Sequence, residues 1–149
     1  MRAHLKSLFS SDIHEALERF QPDDPEHFGI GLQAFIGSGD DDAADSFDAF
    51  ACTPSWLAEN FDDERIGRWE FEPPGLLFGS RFILMKRWDY SALVSAVRGL
   101  CAFHEADDWG MVASRIGRHI PWEFDYRYDG FLDREAVPRF PPDAPTGDG

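Results

Sequence analysis

Phe28, Ile30, Leu32, Ala34 and Ile36 recur at every second position, so over nine residues an extended chain turns one wholly apolar side to a core. A helix would scatter these residues around its axis, so the segment must be a strand. The next segment narrows the fold further. Residues 37–45 hold two glycines and four aspartates, types that favour turns and weaken strands, and they read as the exposed connection of a hairpin. The returning strand runs from Phe47 to Cys52, and Thr53-Pro54 ends it. Thr53 is placed to cap a helix by accepting a free backbone N–H, and Pro54 at the first helical position gives up no hydrogen bond. Trp56, Leu57 and Phe61 then anchor a helical turn against the sheet. Strand, cap and helix are thus continuous over residues 46–57, and this corner reads as scaffold.

The rest of the chain supplies more of both elements. Ala3, Leu5, Ser7 and Phe9 alternate with Arg2, His4 and Lys6, predicting a first strand buried on one face. Asp12 and Glu15 ahead of Leu17 and Phe20 predict one or two turns of helix, and residues 21–26 form a loop. Trp69 and Phe71 alternate with Arg68, Glu70 and Glu72, predicting a short strand that Pro73-Pro74-Gly75 ends. Residues 82–85 are continuously apolar, the pattern of a central strand buried on both faces. Asp89 caps a helix striped by Leu93, Val94, Val97, Leu100 and Cys101. Asp107 or Asp108 caps a second, with Trp109, Val112, Ala113 and Ile116 on one side. Trp122, Phe124, Tyr126 and Tyr128 predict a last strand, and the Trp-Glu-Phe at 69–71 and 122–124 reads as two similar half-buried strands rather than a duplication. The expected architecture is α+β: a mainly antiparallel sheet with two C-terminal helices packed on one face. One domain spans 1–137, and 138–149 is a proline-rich flexible tail.

Twenty-eight acidic residues against fourteen basic give a net charge of -14, which repels a phosphate backbone and excludes nucleic acid as the ligand. The same charge suits a basic protein partner, and it also serves solubility alone. No run reaches the roughly 18 apolar residues of a membrane span, and the N-terminus lacks a secretory apolar core, so a cytoplasmic location is expected. Cys52 and Cys101 lie too far apart for a CxxC element and read as small core hydrophobes.

Several chemical readings fail on spacing. Gly29-Ile30-Gly31-Leu32-Gln33-Ala34 matches a dinucleotide fingerprint but lies within a strand, where no helix N-terminus follows to hold a pyrophosphate. Its glycines instead fit a bulge or a close neighbour. Asp40-Asp41-Asp42 does not meet the calcium-loop template, because Asp45 and Ala51 fall where glycine and glutamate are required. The five histidines show no zinc spacing, and Ser38 sits in a hairpin loop rather than a nucleophile elbow. His104, near a helix end and beside Glu105, Asp107 and Asp108, is expected to hold its proton more tightly than usual. No catalytic residue, metal or cofactor is assigned. What remains is an acidic field from Asp40 to Glu64, without a Lys or Arg until Arg65. Asp40, Asp41, Asp42, Asp45, Asp62, Asp63 and Glu64 are the candidate partner-binding residues, provided that hairpin tip and later loop share one end of the sheet.

The order of Ile36-Gly37-Ser38-Gly39, Cys52-Thr53-Pro54-x-Trp56-Leu57, Asp108-Trp109 and Trp122-Glu123-Phe124 resembles the immunity protein 8 family of bacterial polymorphic toxin systems. The resemblance implies a cytoplasmic, non-catalytic inhibitor that binds a cognate toxin domain, and it does not identify the toxin; a basic nuclease would suit an acidic inhibitor that occludes the toxin's active site. In it Cys52, Thr53, Pro54, Trp56, Leu57, Trp109, Trp122 and Phe124 are structural motif positions. The rival classes are a generic acidic adaptor, which would show partners but no rescue from toxicity, and a small-molecule enzyme, which would need a pocket with converging polar groups.

Overall fold

A computed structural model describes residues 1–79 and 81–124. Among these residues four strands form one sheet in the order β1 (His4–Phe9), β2 (Gly29–Gly37), β3 (Asp45–Cys52), β4 (Phe82–Leu84). β1, β2 and β3 pair antiparallel, and β4 runs parallel to β3. Among the described residues three α-helices complete it: α1 (Pro54–Glu59), α2 (Tyr90–Phe103) and α3 (Trp109–Ile116). The alternation in β2 sends Ile30, Leu32, Ala34 and Ile36 to one face, where they meet Phe47 and Ala51 of β3, Leu93, Val97 and Cys101 of α2, and Val112, Ala113 and Ile116 of α3. Helices on one face of a mostly antiparallel sheet are the expected α+β arrangement. Asp89 and Asp108 cap α2 and α3, their carboxylates accepting the N–H groups of Ala92 at 3.0 Å and Met111 at 2.9 Å.

The opposite face carries a smaller cluster of Phe50, Cys52, Trp56 and Ile66, with Leu57, Leu77 and Phe82 at its margin. Gly29 is what lets Trp56 reach the sheet: a Cβ on Gly29 would lie 2.5 Å from the indole Cδ2. The dinucleotide-like glycines therefore sit inside β2, where Gly29 makes room for a neighbouring ring and Gly31 faces the Asp12 carboxylate.

The structure corrects several expectations. Thr53 stands at the start of α1, but its hydroxyl makes no cap; it accepts the Phe28 N–H at 3.2 Å and so ties the helix start to β2. Asp12 starts no helix. Its carboxylate accepts the Gly31 N–H at 2.6 Å, and only a 3-10 turn forms, at Leu17–Arg19. In β1 a bulge between Leu5 and Ser7 resets the alternation. Leu5 and Leu8 consequently face the core, while Phe9 turns outward to stack on Phe35 at 5.5 Å. β4 is an edge strand, not a central one. Its Phe82 and Ile83 join the two clusters on opposite faces, as a continuous apolar run implies, but only three residues pair and Leu84 is exposed. β3 is the better-covered strand, because residues 121–123 line its first half: Trp122 bridges Phe47, and the Asp48 N–H reaches the Pro121 carbonyl at 2.9 Å.

Residues 69–71 form no strand. Glu72 folds inward, accepting the N–H groups of Trp69 and of Phe78, the latter at 2.6 Å, and the chain turns around it. The repeated Trp-Glu-Phe thus has two structures, with Trp69 exposed in a turn and Trp122 buried beside Phe47. The last predicted strand is seen only as the Trp122 bridge, since Glu123 and Phe124 turn. Tyr126, Tyr128 and the tail at 138–149 lie outside the described residues, as does the boundary at 137.

Candidate functional site

The hairpin between β2 and β3 carries the first acidic group. Gly39 adopts φ +85°, a left-handed backbone that side chains resist, and so sets the turn. Asp40, Asp41 and Asp42 follow it, all exposed. Asp41 is partly engaged: its carboxylate accepts the Ala43 N–H at 2.9 Å, and its carbonyl accepts from the Lys6 ammonium at 3.0 Å. None of the three has an ion-pair partner among the described residues.

Asp45 is different. One of its oxygens accepts the indole N–H of Trp109 at 2.7 Å and that of Trp122 at 2.9 Å. It thereby pins α3 and the 121–123 segment to the root of the hairpin, and Phe124 packs edge-on against Trp122 at 5.7 Å. The signal for this was present in the alternation, because Asp45 shares a strand face with Phe47, Ala49 and Ala51.

The second acidic group follows α1. Asp62 accepts from the Arg68 guanidinium and from the Gly75 N–H at 2.9 Å. Asp63 caps the 3-10 turn Glu64–Ile66, taking the Arg65 N–H at 2.9 Å and its guanidinium at 3.2 Å. Those bonds to Arg65 hold the Asp63 carboxyl below its ordinary range. Glu64 is exposed and has no ion-pair partner among the described residues. Arg65 lies over Trp56 at 5.5 Å and Phe50 at 5.9 Å, so this group packs near the far end of β3. At about 3.3 Å per residue, Asp45 and Phe50 stand roughly 16 Å apart along the strand. The two acidic groups therefore do not share one end of the sheet; they form separate patches.

Beside the second patch, held to it by the Gly75 N–H on Asp62, lies the surface of residues 68–79, of which the alternation at 68–72 predicts a strand. Trp69, Phe71, Leu76 and Phe78 are all exposed, with Trp69 and Phe71 stacked at 6.0 Å and Phe71 edge-on to Phe78 at 5.6 Å. Beneath them Glu72 and Arg81 are buried as an ion pair at 3.2 Å. Burial raises the Glu72 carboxyl, but the N–H groups of Trp69 and Phe78 and the charges of Arg81 and Arg68 outweigh it, leaving it below its ordinary value.

Burial pushes the thiols of Cys52 and Cys101 up to about 11, so both are neutral core groups. His104 holds its proton less tightly than usual, contrary to expectation: burial comes first, then His119, Arg115 and Arg118. Among the described residues no set of three or more His, Cys, Asp or Glu side chains is grouped to hold a metal, and no helix is long and apolar enough to cross a membrane.

Residues 3–126 match the sequence pattern of the family described as Immunity protein 8, which spans the whole arrangement from before β1 to beyond Trp122. The chain belongs to the immunity protein 8 family. It is thus a non-enzymatic immunity protein of a polymorphic toxin system, and its partner is a cognate toxin domain. No curated protein and no solved structure matches the chain. Within this immunity protein Cys52, Thr53, Pro54, Trp56 and Leu57 lie where β3 passes into α1, Trp109 and Trp122 meet at Asp45, and Phe124 packs on Trp122.

Proposed function

We propose that this immunity protein neutralises its toxin by occlusion, laying a rigid face over the toxin's active site or substrate groove. Its carboxylates then pair with Lys or Arg there, and a cytoplasmic nuclease, whose groove must be basic to hold a phosphate backbone, is the toxin class that fits best. Family membership over residues 3–126 carries the reading. The exposed Asp40, Asp41 and Asp42 support it at one end of β3, with Asp62, Asp63 and Glu64 as a second patch at the other. Asp62 and Asp63 are already paired to Arg68 and Arg65, which leaves Glu64 as the freer charge of that patch. Asp45 contributes by fixing the hairpin root rather than by touching the toxin.

The test is growth of bacteria expressing the toxin domain encoded beside this gene, with and without the protein. Rescue is expected. Continued toxicity in the presence of folded protein and active toxin would sink the pairing.

A further inference from the structure

The loop of residues 68–79 is packed inside out. Glu72 within it and Arg81 just beyond it are 4% and 5% exposed, whereas Phe71, Phe78, Trp69 and Leu76 are 67%, 56%, 52% and 47% exposed. Burying an ion pair costs desolvation, and leaving four large apolar side chains in water forgoes the main stabilising term of folding. A contiguous exposed apolar patch of this kind marks a surface that another molecule covers.

Its backbone is nevertheless held firmly. Arg68 donates to the carbonyls of Pro73 at 2.6 Å, Leu76 at 2.8 Å and Phe61 at 3.2 Å, and Glu72 gathers two N–H groups from above. Arg81 donates to the Gly67 carbonyl and lies 5.1 Å beneath the Trp69 ring. The polar framework fixes the loop from below and presents a ready-made aromatic surface outward, the composition and preorganisation of a binding hot spot.

We infer that this aromatic loop is the principal contact for the toxin domain, fitting an apolar cleft edged by Lys or Arg on a basic protein. The inference rests on the immunity reading and adds the surface that carries it. Charge selects this occupant: Glu70 is exposed within the loop without an ion-pair partner among the described residues, and Glu64 stands in the neighbouring turn. A second copy would bring -14 against -14 and Glu70 towards Glu70, so a basic partner is favoured over self-association.

The experiment measures binding of the full chain to the toxin domain encoded beside its gene, by calorimetry, for the wild type and for Phe71→Ala/Phe78→Ala. Trp69 is left in place because it covers Arg81. The double variant removes only exposed rings, and its melting temperature verifies folding. Binding is expected to weaken at least ~30-fold, the size of one hot-spot residue, with folding unchanged. Wild-type binding that the double variant retains would overturn the inference and leave immunity standing. Failure of the wild type to bind or protect would overturn both. Two measurements on the free protein complete the test: a dimer in sedimentation that the double variant dissolves, or Trp69 shielded from acrylamide relative to Trp69→Phe, would show the surface already covered and overturn it.

Discussion

Aspartates that look alike in sequence hold different jobs at the scale of single residues. Asp45 accepts two indole N–H groups, so Asp45→Ala removes the shared acceptor that joins α3 and the 121–123 segment and should cost about 1–3 kcal/mol in chemical denaturation. Asp40→Asn and Asp42→Asn, exposed at the tip, should stay within about 0.5 kcal/mol. Equal effects at Asp45 and Asp42 would discard the structural role given to Asp45. His104 sets a pH dependence of definite sign. Burial, His119, Arg115 and Arg118 lower its proton affinity in the folded state, so on acidification the unfolded chain takes up that proton first. The contribution is intact above about pH 6.5 and is lost as pH falls from there through the lower folded value. Replacing His104 with Asn should therefore flatten the stability slope between about pH 7.5 and 5.5; a slope equal to that of the wild type would reject this account.

Among elements, the contact of β2 with α1 is the most sharply specified. A methyl on Gly29 would enter the Trp56 ring, and that ring is held against Phe50 at 5.2 Å with little space to withdraw. Gly29→Ala should destabilise by about 1–3 kcal/mol through overpacking. Adding Trp56→Leu should cost less in the Gly29→Ala background than in the wild type, and strict additivity of the two changes would argue against the contact. Elements of this kind were legible where one period governed a whole segment. The alternation in β2, the hairpin, the capped stripes of α2 and α3, and Pro54 opening α1 all followed from local rules. What sequence left hidden was decided by distant partners. The bulge that turns Phe9 outward depends on β1 pairing with β2, and Thr53 gives up its cap for Phe28, twenty-five residues away. Trp69 to Phe71 shows strand period, yet Glu72 is drawn inward by Arg81, and no local pattern announces a buried ion pair. The candidate site suffered for the same reason. Its acidic residues were visible as composition, but their division between two ends of β3 is a property of topology, and the aromatic loop beside the second patch was hidden by its likeness to a strand.

Taken as a whole molecule, the protein offers a partner two kinds of interaction that act at different ranges. Its net charge of -14 works at a distance, whereas the aromatic loop works only in contact. Trp69 shares a cavity with Asp48 and Phe50, which stand about 10 and 16 Å along β3 from Asp45, away from the hairpin tip. At physiological salt the Debye length is about 8 Å, so tip and loop scarcely feel each other's charge, yet a toxin domain of ordinary size, with a radius of gyration of about 13 Å, spans both. The two surfaces should then separate kinetically. Replacing Asp40, Asp41 and Asp42 together with Asn removes three of the fourteen net charges without disturbing Asp45. It should slow association and flatten its dependence on salt, while leaving dissociation nearly unchanged. Truncating Phe71 and Phe78 should do the opposite, since most of the affinity lost from a desolvated contact appears as faster release. Stopped-flow association at several salt concentrations, paired with dissociation rates, distinguishes these effects. If the triple Asn variant keeps both the wild-type association rate and its salt slope, the hairpin tip lies outside the toxin's approach, and the acidic tip serves solubility alone.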